Sequence, residues 1–486
     1  MGFFSKLFGD NSRDKSRDDE FVNLCAKGSA DEVRQALSSW GSLEAKGENE
    51  GVTPLMSACM NPDSNVVKLI IEELEKSSNT RAVNEVDKNK STPLHSAGHF
   101  STNPEVVKML VAAGGMINAL DHLGSTPLMC AVSAISLQIL GKDNTAVIKA
   151  LAEAVIKSGN NIDFKDRNGD TALNKAALFN INPEVVHILL NAGADIESKN
   201  SFGFTPLMSS LDNPNPEVMK ALVKAGANMS VYDSSGMPLL ANCVMCIQGD
   251  LMHSTPAHLR ALIELGADVD TRAKTDKGQT ALMLAVLFTL QPEVIEILAG
   301  STKHINMKSF DGLSAYSLAL GIDNPASAAL ANKNVRLNLE NNKAAISILE
   351  AHGAKISFPE LCSCASAERV KKAIDSGADI NAKNSEGITP LIASIKDNPD
   401  KGVFSALLKE GVNVNVADNE NVTALMAAIA CNLDTSLIIE ILAAVDNLNA
   451  QDIRGYTAFD VAIELERYDV ASLIETLGGR ANLYRR

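Results

Sequence analysis

The feature that most constrains this chain is a short motif, Thr-Pro-Leu or a near copy of it, that recurs at a nearly fixed spacing. The copies begin at Thr53, Thr92, Thr126, Thr171, Thr205, Thr280, Thr389, Thr423 and Thr457. A step of 34 residues separates Thr92 from Thr126 and Thr389 from Thr423. A period of this length indicates one small structural unit stacked many times. Because each unit of such a stack contacts mainly its neighbours, the stack offers a long binding surface and no enclosed catalytic pocket.

Each copy of the motif follows a turn signal and predicts the start of a helix. Asp121–Gly124, Asp166–Gly169 and Asn200–Gly203 open with Asp or Asn and close with Gly, the residue types that suit tight turns with positive φ. The Thr of the motif then caps a short helix. Pro occupies the first turn of that helix, where its missing N–H costs nothing.

A second helix in each unit is predicted from the sequence Pro-Glu-Val behind a capping residue. This signature follows Asn103, Asn182, Asn215 and Gln291. Asn caps a helix, Pro suits its first position, and Glu is favourable near its positive end. Apolar residues at helical spacing come next, and Gly193 is predicted to end one such helix in a left-handed conformation.

These turn–helix–helix units resemble ankyrin repeats. The resemblance rests on Thr-Pro-Leu-His at Thr92–His95, on the Glu-Val-Val of the second helices, and on closing phrases that begin at Gly193, Gly266 and Gly377. It covers the chain from about Phe21 to Gly478. The resemblance implies an all-α solenoid of about 12–13 stacked units, in which helix pairs joined by β-turn or hairpin loops form a curved superhelix.

Met occupies the position of the family's His in most units. The residues concerned are Met56, Met129, Met208, Met283 and Met426. The family's His ties adjacent turns by hydrogen bonds, so that tie is left open for these units. A row of Met is compatible with a binding surface, but Met also fills irregular space in cores. Since the position lies at the start of the first helix, we expect core filling.

The spacing predicts four segments along the chain. Residues 1–20 are expected to be a flexible tail with a short Phe-rich amphipathic tip, and residues 21–356 an ankyrin-repeat array. Residues 357–478 are expected to continue the array after a missing hairpin, and residues 479–486 to form a C-terminal tail.

Three units are longer than the others, near residues 126–170, 237–279 and 314–356. Their extra residues fall between the two helices of the unit. Loop growth costs little free energy and accounts for them most simply. The alternative is added helical length that forms an extra contact edge.

No turn signal follows Gly353–Ile356, and the segment that begins at Phe358 is similar to the first unit of the chain. Either one turn has been lost from a continuous array, or two solenoids have been fused near residue 356. Because a helix pair with an unstacked apolar face would be unstable, we expect a continuous array with a gap in its row of turns.

The first nine residues, Met1–Gly9, contain Phe3, Phe4, Leu7 and Phe8. The stretch is too short for a secretory signal and lacks a cleavage pattern. Phe4 and Phe8 are four residues apart, so a short amphipathic helix there would contact a membrane surface weakly or enter a partner's groove. We expect a frayed tail, because isolated helices of this length are marginal.

Composition narrows the classes of function. The 44 Lys and Arg against 59 Asp and Glu give a net charge of −15, which repels phosphate backbones and argues against nucleic-acid binding. No run of 18 apolar residues predicts a membrane span. The 8 Cys are scattered, as expected of reduced core thiols. A cytoplasmic location is predicted, with delivery into a host cell as the alternative.

Candidate chemistry is sparse in this sequence. We find no phosphate-binding Gly loop, no His-Glu-x-x-His and no Gly-x-Ser-x-Gly. His95 and His99 are four residues apart, but no third ligand accompanies them. We therefore expect no catalytic residue, no metal and no cofactor. The alternative is an enzyme or metal site in the long insertions, around Cys243, Cys246, His253 and His258.

The residues predicted to bind a partner lie at turn tips and carry large or charged side chains, since exposed aromatic and Arg side chains anchor interfaces. They are Lys88, His122, Leu123, Arg167, Phe202, Phe204, Tyr232, Lys277, Phe310, Glu386, Glu420, Arg454 and Tyr456. Contact with the partner is favoured for Phe202 and Phe310, because burying each contributes roughly 1.5–3 kcal/mol. For Phe204 and Tyr456, packing against the neighbouring turn is an equal alternative.

The predicted function is that of a protein–protein interaction scaffold, adaptor or inhibitor that uses the concave ankyrin surface. Such a surface is preformed, so binding orders little of the chain. The expected partner is another protein, and the expected state of the chain is a monomer. The Asn-Pro-Glu-Val signature is typical of a bacterial or phage relative. A second alternative is a self-assembling structural protein that uses the Phe-rich tip or the gap near residue 356.

Overall fold

The structure is a computed structural model, and it describes residues 15–48, 50–248, 255–288, 291–323 and 339–483. The chain divides into two compact units, one ending at Asp268 and the other beginning at Val269. The described residues contain seven helix pairs in the first unit and six in the second. The all-α stack of repeated helix pairs predicted from the sequence is confirmed.

In most repeats the first helix of the pair follows a turn and is short. In the first unit these helices are α1 (Lys15–Lys27), α3 (Pro54–Ala58), α5 (Pro93–Phe100), α7 (Pro127–Val132), α10 (Ala172–Phe179), α12 (Pro206–Ser209) and α14 (Leu239–Gln248). In the second unit they are α16 (Ala281–Leu287), α18 (Ala315–Asp323), α20 (Phe358–Cys364), α22 (Pro390–Lys396), α24 (Ala424–Ala430) and α26 (Ala458–Glu464).

The second helix of each pair is usually longer. In the first unit these helices are α2 (Ala30–Ser39), α4 (Ser64–Lys76), α6 (Pro104–Ala112), α9 (Thr145–Lys157), α11 (Glu184–Asn191), α13 (Pro216–Lys224) and α15 (Pro256–Glu264). In the second unit they are α17 (Pro292–Ser301), α19 (Leu339–Ala351), α21 (Ala367–Asp375), α23 (Lys401–Lys409), α25 (Thr435–Leu442) and α27 (Tyr468–Thr476). An extra short helix, α8 (Ile135–Ile139), lies between α7 and α9.

The helices begin where capping chemistry predicts. The Thr126 hydroxyl accepts a hydrogen bond from the Met129 N–H at 3.3 Å at the start of α7. At the start of α6, Asn103 Oδ1 accepts one from the Glu105 N–H at 3.0 Å. Each cap satisfies a backbone donor that the first helical turn leaves unpaired, and such a cap typically contributes ~1 kcal/mol.

The Asp or Asn that opens a turn holds it through its own side chain. Asp121 Oδ1 accepts hydrogen bonds from the N–H groups of Leu123 and Ser125, both at 2.8 Å. The same pair of bonds is made by Asp87, Asp166, Asn200, Asp233, Asn384, Asp418 and Asp452. Gly124 closes its turn with a φ of +78°, a left-handed value that favours glycine. Across the described ranges, β-structure is limited to isolated bridges within three turns.

The core of each unit is aliphatic, and the Met residues at the family's His position belong to it. Each of the five is at most 3% exposed, and they are Met56, Met129, Met208, Met283 and Met426. They fill the core, as the sequence predicted. The one His at this position, His95, keeps the tie between turns, because its Nε2–H donates to the Ser125 carbonyl at 3.0 Å.

Buried Asn side chains join neighbouring repeats at the ends of the first helices that lie farthest from the turns. Asn213 Nδ2 donates to the carbonyl oxygens of Ala177 at 2.8 Å and Asn180 at 2.9 Å. Asn61, Asn180 and Asn398 likewise donate to carbonyls at the end of the preceding repeat's first helix. The last carbonyls of a helix lack partners within it, so these Asn side chains satisfy groups that burial would otherwise leave unpaired.

The chain passes from α19 to α20 without a turn, at the gap that the sequence predicts near residue 356. Within the second unit, α20 packs against α18. Lys308, in the preceding turn, forms an ion pair with Glu360 of α20. Asn306 Oδ1 also accepts a hydrogen bond from the Lys355 N–H at 2.7 Å. The helix pairs on either side of the missing turn are therefore in contact.

The first helix begins earlier than the sequence predicted, at Lys15, inside the segment expected to be a flexible tail. Phe21 is 1% exposed and anchors this helix to the core. Asp19 Oδ1 accepts a hydrogen bond from the Glu48 N–H at 2.7 Å, which attaches the residues before Phe21 to the following turn. The Phe-rich tip, Met1–Gly9, lies outside the described residues.

The predicted C-terminal tail is bound where the structure describes it. The Arg480 N–H donates to Asn449 Oδ1 at 2.7 Å. The Asn482 N–H donates to Asp460 Oδ2 at 2.9 Å. These bonds attach the segment to the preceding repeat, as backbone hydrogen bonds attach one turn tip to the one before it.

The insertion in the repeat at residues 126–170 is helical in its first half, where it forms α8. Leu137 faces the core and is 4% exposed, whereas Ile139 is 79% and Leu140 66% exposed. This insertion therefore adds helical length and an apolar surface, beyond simple loop growth. The other two insertions lie largely outside the described residues.

Candidate functional site: the turn tips

The tips of neighbouring turns are joined by backbone hydrogen bonds, in which an N–H of one tip donates to a carbonyl of the tip before it. In the first unit the donor–acceptor pairs span 2.8–3.2 Å and are Lys88–Glu50, His122–Asn89, Arg167–Leu123, Ser201–Asn168 and Ser234–Phe202. In the second unit they span 2.8–3.3 Å and are Phe310–Lys277, Asn419–Glu386 and Ile453–Glu420. Side chains at these tips are thus held on linked backbones.

Three consecutive tips of the first unit present Leu123, Arg167 and Phe202, which we call the turn-tip row. Leu123 is 53% and Phe202 61% exposed, and Arg167 between them is also exposed. A cation therefore stands between two apolar side chains. Exposed apolar, aromatic and Arg groups in this kind of arrangement are the usual anchors of protein interfaces.

A buried ion pair holds the turn that carries Arg167. Lys175 Nζ of α10 lies 2.9 Å from Asp166 Oδ2, with side-chain exposures of 12% and 2%. Asp166 Oδ1 meanwhile accepts the N–H groups of Asn168 and Asp170, both at 2.9 Å. Both oxygens of one carboxylate are thus used inside the turn, and the backbone at Arg167 is fixed before any partner binds.

The remaining predicted site residues of the first unit differ in how far they are exposed to solvent. Lys88 is exposed at the tip before that of Leu123, and His122 is exposed beside Leu123 at the same tip. Phe204 is half-buried, with its ring centroid 6.4 Å from that of Phe202, so it packs beside the row. Tyr232 is half-buried and pairs with Pro238 in an isolated bridge. Of the two aromatic residues around Gly203, Phe202 is therefore the one presented to solvent.

In the second unit, Phe310 is 63% exposed and lies one tip after the exposed Lys277. The Arg272 guanidinium carbon lies 5.6 Å from the centroid of the Phe310 ring, within the range of a cation–π interaction. Sequence reasoning missed Arg272, because it precedes the turn and reaches the ring only once the chain has folded back.

The last turns of the second unit carry the other predicted residues. Glu386, Glu420 and Arg454 are exposed, whereas Tyr456 is half-buried. The Arg454 guanidinium carbon lies 5.3 Å from the Tyr456 ring centroid, so these two residues act together. Ile453, 66% exposed at the same tip, was missed, although its place in the Asp-x-x-Gly turn is the signal that would have identified it.

The alternative site near Cys243, Cys246 and His258 does not assemble a metal centre among the described residues. Thr255 N–H donates to His258 Nδ1 at 3.2 Å, and His258 Nε2–H donates to the Asn213 carbonyl at 2.9 Å, so both ring nitrogens are used. Burial raises the pKa of Cys246 to about 11, which disfavours the thiolate that would bind a metal. His253 lies outside the described residues.

The same holds for the rest of the chain that the structure describes. No group of three or more His, Cys, Asp or Glu side chains is arranged to hold a metal ion there. None of the described helices combines the length and the apolar character needed to cross a membrane.

Comparison with known families agrees with this geometry. The family model described as ankyrin repeats (3 copies) matches residues 137–233 and 361–452. These segments are ankyrin repeats. They include the turns that carry Arg167 and Phe202 in the first unit, and those of Glu386 and Glu420 in the second.

Each of the related proteins matches only part of this chain. Glycerophosphocholine phosphodiesterase gde1 of Schizosaccharomyces pombe is 34% identical over 159 residues, which is 32% of this chain and 12% of that protein. B-cell lymphoma 3 protein of Homo sapiens is 27% identical over 181 residues, or 37% of each chain. The matched segment thus spans less than two fifths of either relative.

Among solved structures, the ankyrin repeat domain of Bcl-3, a member of the IkappaB protein family, is 26% identical. The match covers 51% of this chain and 99% of that domain, with a TM-score of 0.39.

Proposed function

We propose that this ankyrin-repeat chain is a protein–protein interaction scaffold, adaptor or inhibitor, and that it binds its partner through the turn-tip row. The observation that carries the proposal is the arrangement of Leu123, Arg167 and Phe202 on consecutive, hydrogen-bonded tips. Because the backbone of the row is already fixed, binding orders side chains and little else, which reduces the entropic cost of association.

The chemistry of the turn-tip row specifies a partner surface of a particular kind. Leu123 and Phe202 require two apolar depressions, and Arg167 between them requires a carboxylate or another acceptor that can take two hydrogen bonds. The preceding tip carries Lys88, which favours the same charge. The partner face is therefore apolar and acidic, although the chain itself has a net charge of −15.

The second unit offers a mixed surface that extends the same function. Lys277, Phe310 and Arg454 supply a cation, an apolar ring and a second cation, whereas Glu386 and Glu420 are acidic.

In both units, half-buried aromatic residues support the exposed tips; they are Phe204, Tyr232 and Tyr456. We assign binding energy chiefly to Phe202, Phe310 and Arg167, because aromatic and Arg side chains are enriched among interface hot spots.

We also propose that the protein acts by binding alone, without catalysis and without a cofactor. The buried thiols and the fully hydrogen-bonded His258 support this reading over the enzyme alternative. The phosphodiesterase activity in the name of the fission-yeast relative belongs to that protein, of which the match spans 12%.

We further propose that the protein is a cytoplasmic monomer of bacterial or phage origin. Delivery into a host cell is the alternative for its location. The Asn-Pro-Glu-Val signature supports that origin, while the relatives described above are eukaryotic. Weak membrane contact through residues 1–9 and self-assembly through that tip are the competing roles for a segment that lies outside the described residues.

Affinity capture with the tagged full chain, followed by titration of the purified partner, tests the turn-tip row. Phe202→Ala and Arg167→Ala are each expected to weaken binding at least tenfold, which corresponds to about 1.4 kcal/mol. Ile156→Ala is the matched control, since Ile156 is 51% exposed on α9 and outside the row. Equal affinity for all variants would place the interface elsewhere.

A further inference from the structure

The inserted helix α8 leaves an apolar groove on the first unit, at the edge where the first helices end. We call it the edge groove. It has a volume of about 350 Å³ and is lined by Ile135, Ile139, Leu178, Phe179, Ile181 and Pro214, together with Gln138 and Asp212. This volume lies at the lower end of the range of ligand-binding pockets, roughly 300–1,000 Å³.

The aliphatic side chains around the edge groove are unusually open to solvent. Ile139 is 79%, Ile135 45% and Ile181 43% exposed, and the adjoining Leu140 is 66% exposed. Single exposed aliphatic residues are common, but a contiguous patch of them on a folded protein marks a binding surface. Burying that patch is favourable, because it removes apolar surface from water.

A polar group inside the edge groove specifies part of its ligand. Gln138 Oε1 accepts a hydrogen bond from the Ile181 N–H at 3.3 Å, which fixes the orientation of the amide. Gln138 Nε2 is then buried without a hydrogen-bond partner. A buried donor left unpaired destabilises the fold, and a ligand with a free carbonyl oxygen would satisfy it.

The charge around the edge groove is predominantly acidic. Asp212 lines it, and Glu184 and Glu217 lie in the first turns of the helices that follow Ile181 and Pro214. The same edge carries Lys142 and Lys220. Lys220 is paired with Glu217 at 2.7 Å, so these two charges offset each other and leave Asp212 and Glu184 against Lys142. The excess of carboxylates, on a chain with a net charge of −15, favours a basic ligand.

We propose that the edge groove binds an extended segment of a partner protein that carries two large apolar side chains next to Lys or Arg. An extended segment is indicated because its backbone carbonyls are free to accept from Gln138, whereas those inside a helix are already bonded. The site does not rest on the turn-tip row, which lies at the other end of the first helices and has the opposite charge preference.

Selection of random dodecapeptides displayed on phage, against the immobilised full chain, tests this proposal. Depletion on the Ile139→Lys variant removes peptides that bind elsewhere. We expect enriched peptides to combine two large apolar residues with an adjacent Lys or Arg. Their synthetic versions, titrated by fluorescence anisotropy, should bind Ile139→Lys at least tenfold more weakly and Gln138→Met severalfold more weakly.

Two matched controls separate the edge groove from other surfaces. Ile156→Lys makes the same change at another exposed Ile of the same repeat, and Phe202→Ala alters the turn-tip row. Neither should change the affinity of the selected peptides. Ile139 is 79% exposed, so its variant should keep the thermal unfolding midpoint of the unaltered chain.

The proposal is overturned if no such peptide is enriched, if the enriched peptides carry acidic flanks, or if their binding survives Ile139→Lys. Self-association of the full chain that Ile139→Lys abolishes, measured by sedimentation equilibrium, would also overturn it, because a second copy would then be the occupant. Loss of peptide binding in Phe202→Ala alone would assign the peptides to the turn-tip row instead.

Discussion

At the scale of single residues, buried polar side chains in this molecule mainly serve the backbone of their own turn and of the next repeat. His95 accepts the Thr92 N–H through Nδ1 at 3.1 Å and donates from Nε2 to the Ser125 carbonyl at 3.0 Å. This arrangement requires the neutral ring, with its proton on Nε2. Burial is the main cause that lowers the pKa of His95, and the same cause lowers the pKa values of His99 and His258.

These shifts predict a loss of stability in mild acid. When the folded pKa of a His lies below its unfolded value of about 6.5, the unfolded state binds more protons, so stability is full above that pH and falls as the pH drops below it. We expect the urea unfolding midpoint to fall between pH 7 and pH 5.5. His95→Met, which installs the residue found in five other repeats, should reduce that fall. An undiminished fall in the variant would show that His95 does not contribute.

At the scale of elements, the spacing between first helices depends on small residues at particular points. A Cβ added at Gly98 of α5 would lie 2.6 Å from the Pro127 carbonyl oxygen and 3.2 Å from the Ala131 N of α7. These neighbours are backbone atoms, which cannot relieve the contact by changing rotamer as a side chain would. Gly98 is therefore what allows α5 and α7 to approach so closely.

Gly98→Ala is expected to destabilise the chain by about 1–3 kcal/mol, because the overpacking outweighs the better helix propensity of Ala. Gly300 in α17 is the matched control, since a Cβ there would meet only His352 Cε1, at 3.4 Å. Gly300→Ala should be neutral or stabilising by up to ~1 kcal/mol. Urea unfolding followed by circular dichroism measures both, and equal effects in the two variants would contradict this account.

Local chemistry explains which elements the sequence could predict. Helix starts such as Thr126 and Asn215 were predictable, because a cap and its donor are two or three residues apart. The helix at Ile135–Ile139 was not, since its apolar run carries no capping signal. The role of Gly98 could not be predicted from the sequence either, because it depends on contacts with the neighbouring repeat.

At the candidate site, too, local features could be predicted from the sequence and packing between repeats could not. Turn residues fix their own tips, so the sequence could place Phe202 and Phe204 at one tip. It favoured exposure for Phe202 and left Phe204 open, since the position of that ring depends on packing against the neighbouring turn. The groove beside Ile139 and the unpaired Nε2 of Gln138 also depend on residues that reach α8 only in the folded chain, such as Ile181, whose N–H binds Gln138 Oε1.

At the scale of the whole molecule, contacts within each compact unit run from one repeat to the next. One row of hydrogen bonds joins the turn tips, and a second row, of which Asn213 is a member, joins the far ends of the first helices. The period predicted about 12–13 units, and the described residues contain thirteen helix pairs. The division into two compact units falls inside the closing phrase that begins at Gly266.

Asn213→Ala tests how far a local defect spreads. Asn213 is 0% exposed and its Nδ2 makes two hydrogen bonds, so its loss should cost the surrounding repeats about 2–4 kcal/mol. Because nearest neighbours carry the stability of a stack, amide hydrogen exchange should accelerate in residues 172–224 and not in residues 424–476. Asn103→Ala, which removes only a helix cap, should cost about 1 kcal/mol. Equal acceleration everywhere would indicate one cooperative unit.

The bond between the Arg167 N–H and the Leu123 carbonyl, at 3.2 Å, spans a repeat that is eleven residues longer than the 34-residue period. Extra sequence inserted between the helices of a repeat therefore leaves the hydrogen bonding between successive tips of the turn-tip row unchanged. Evolution can therefore lengthen and diversify the far edge of such a stack, and so add specificities there, without disturbing the spacing of its turns.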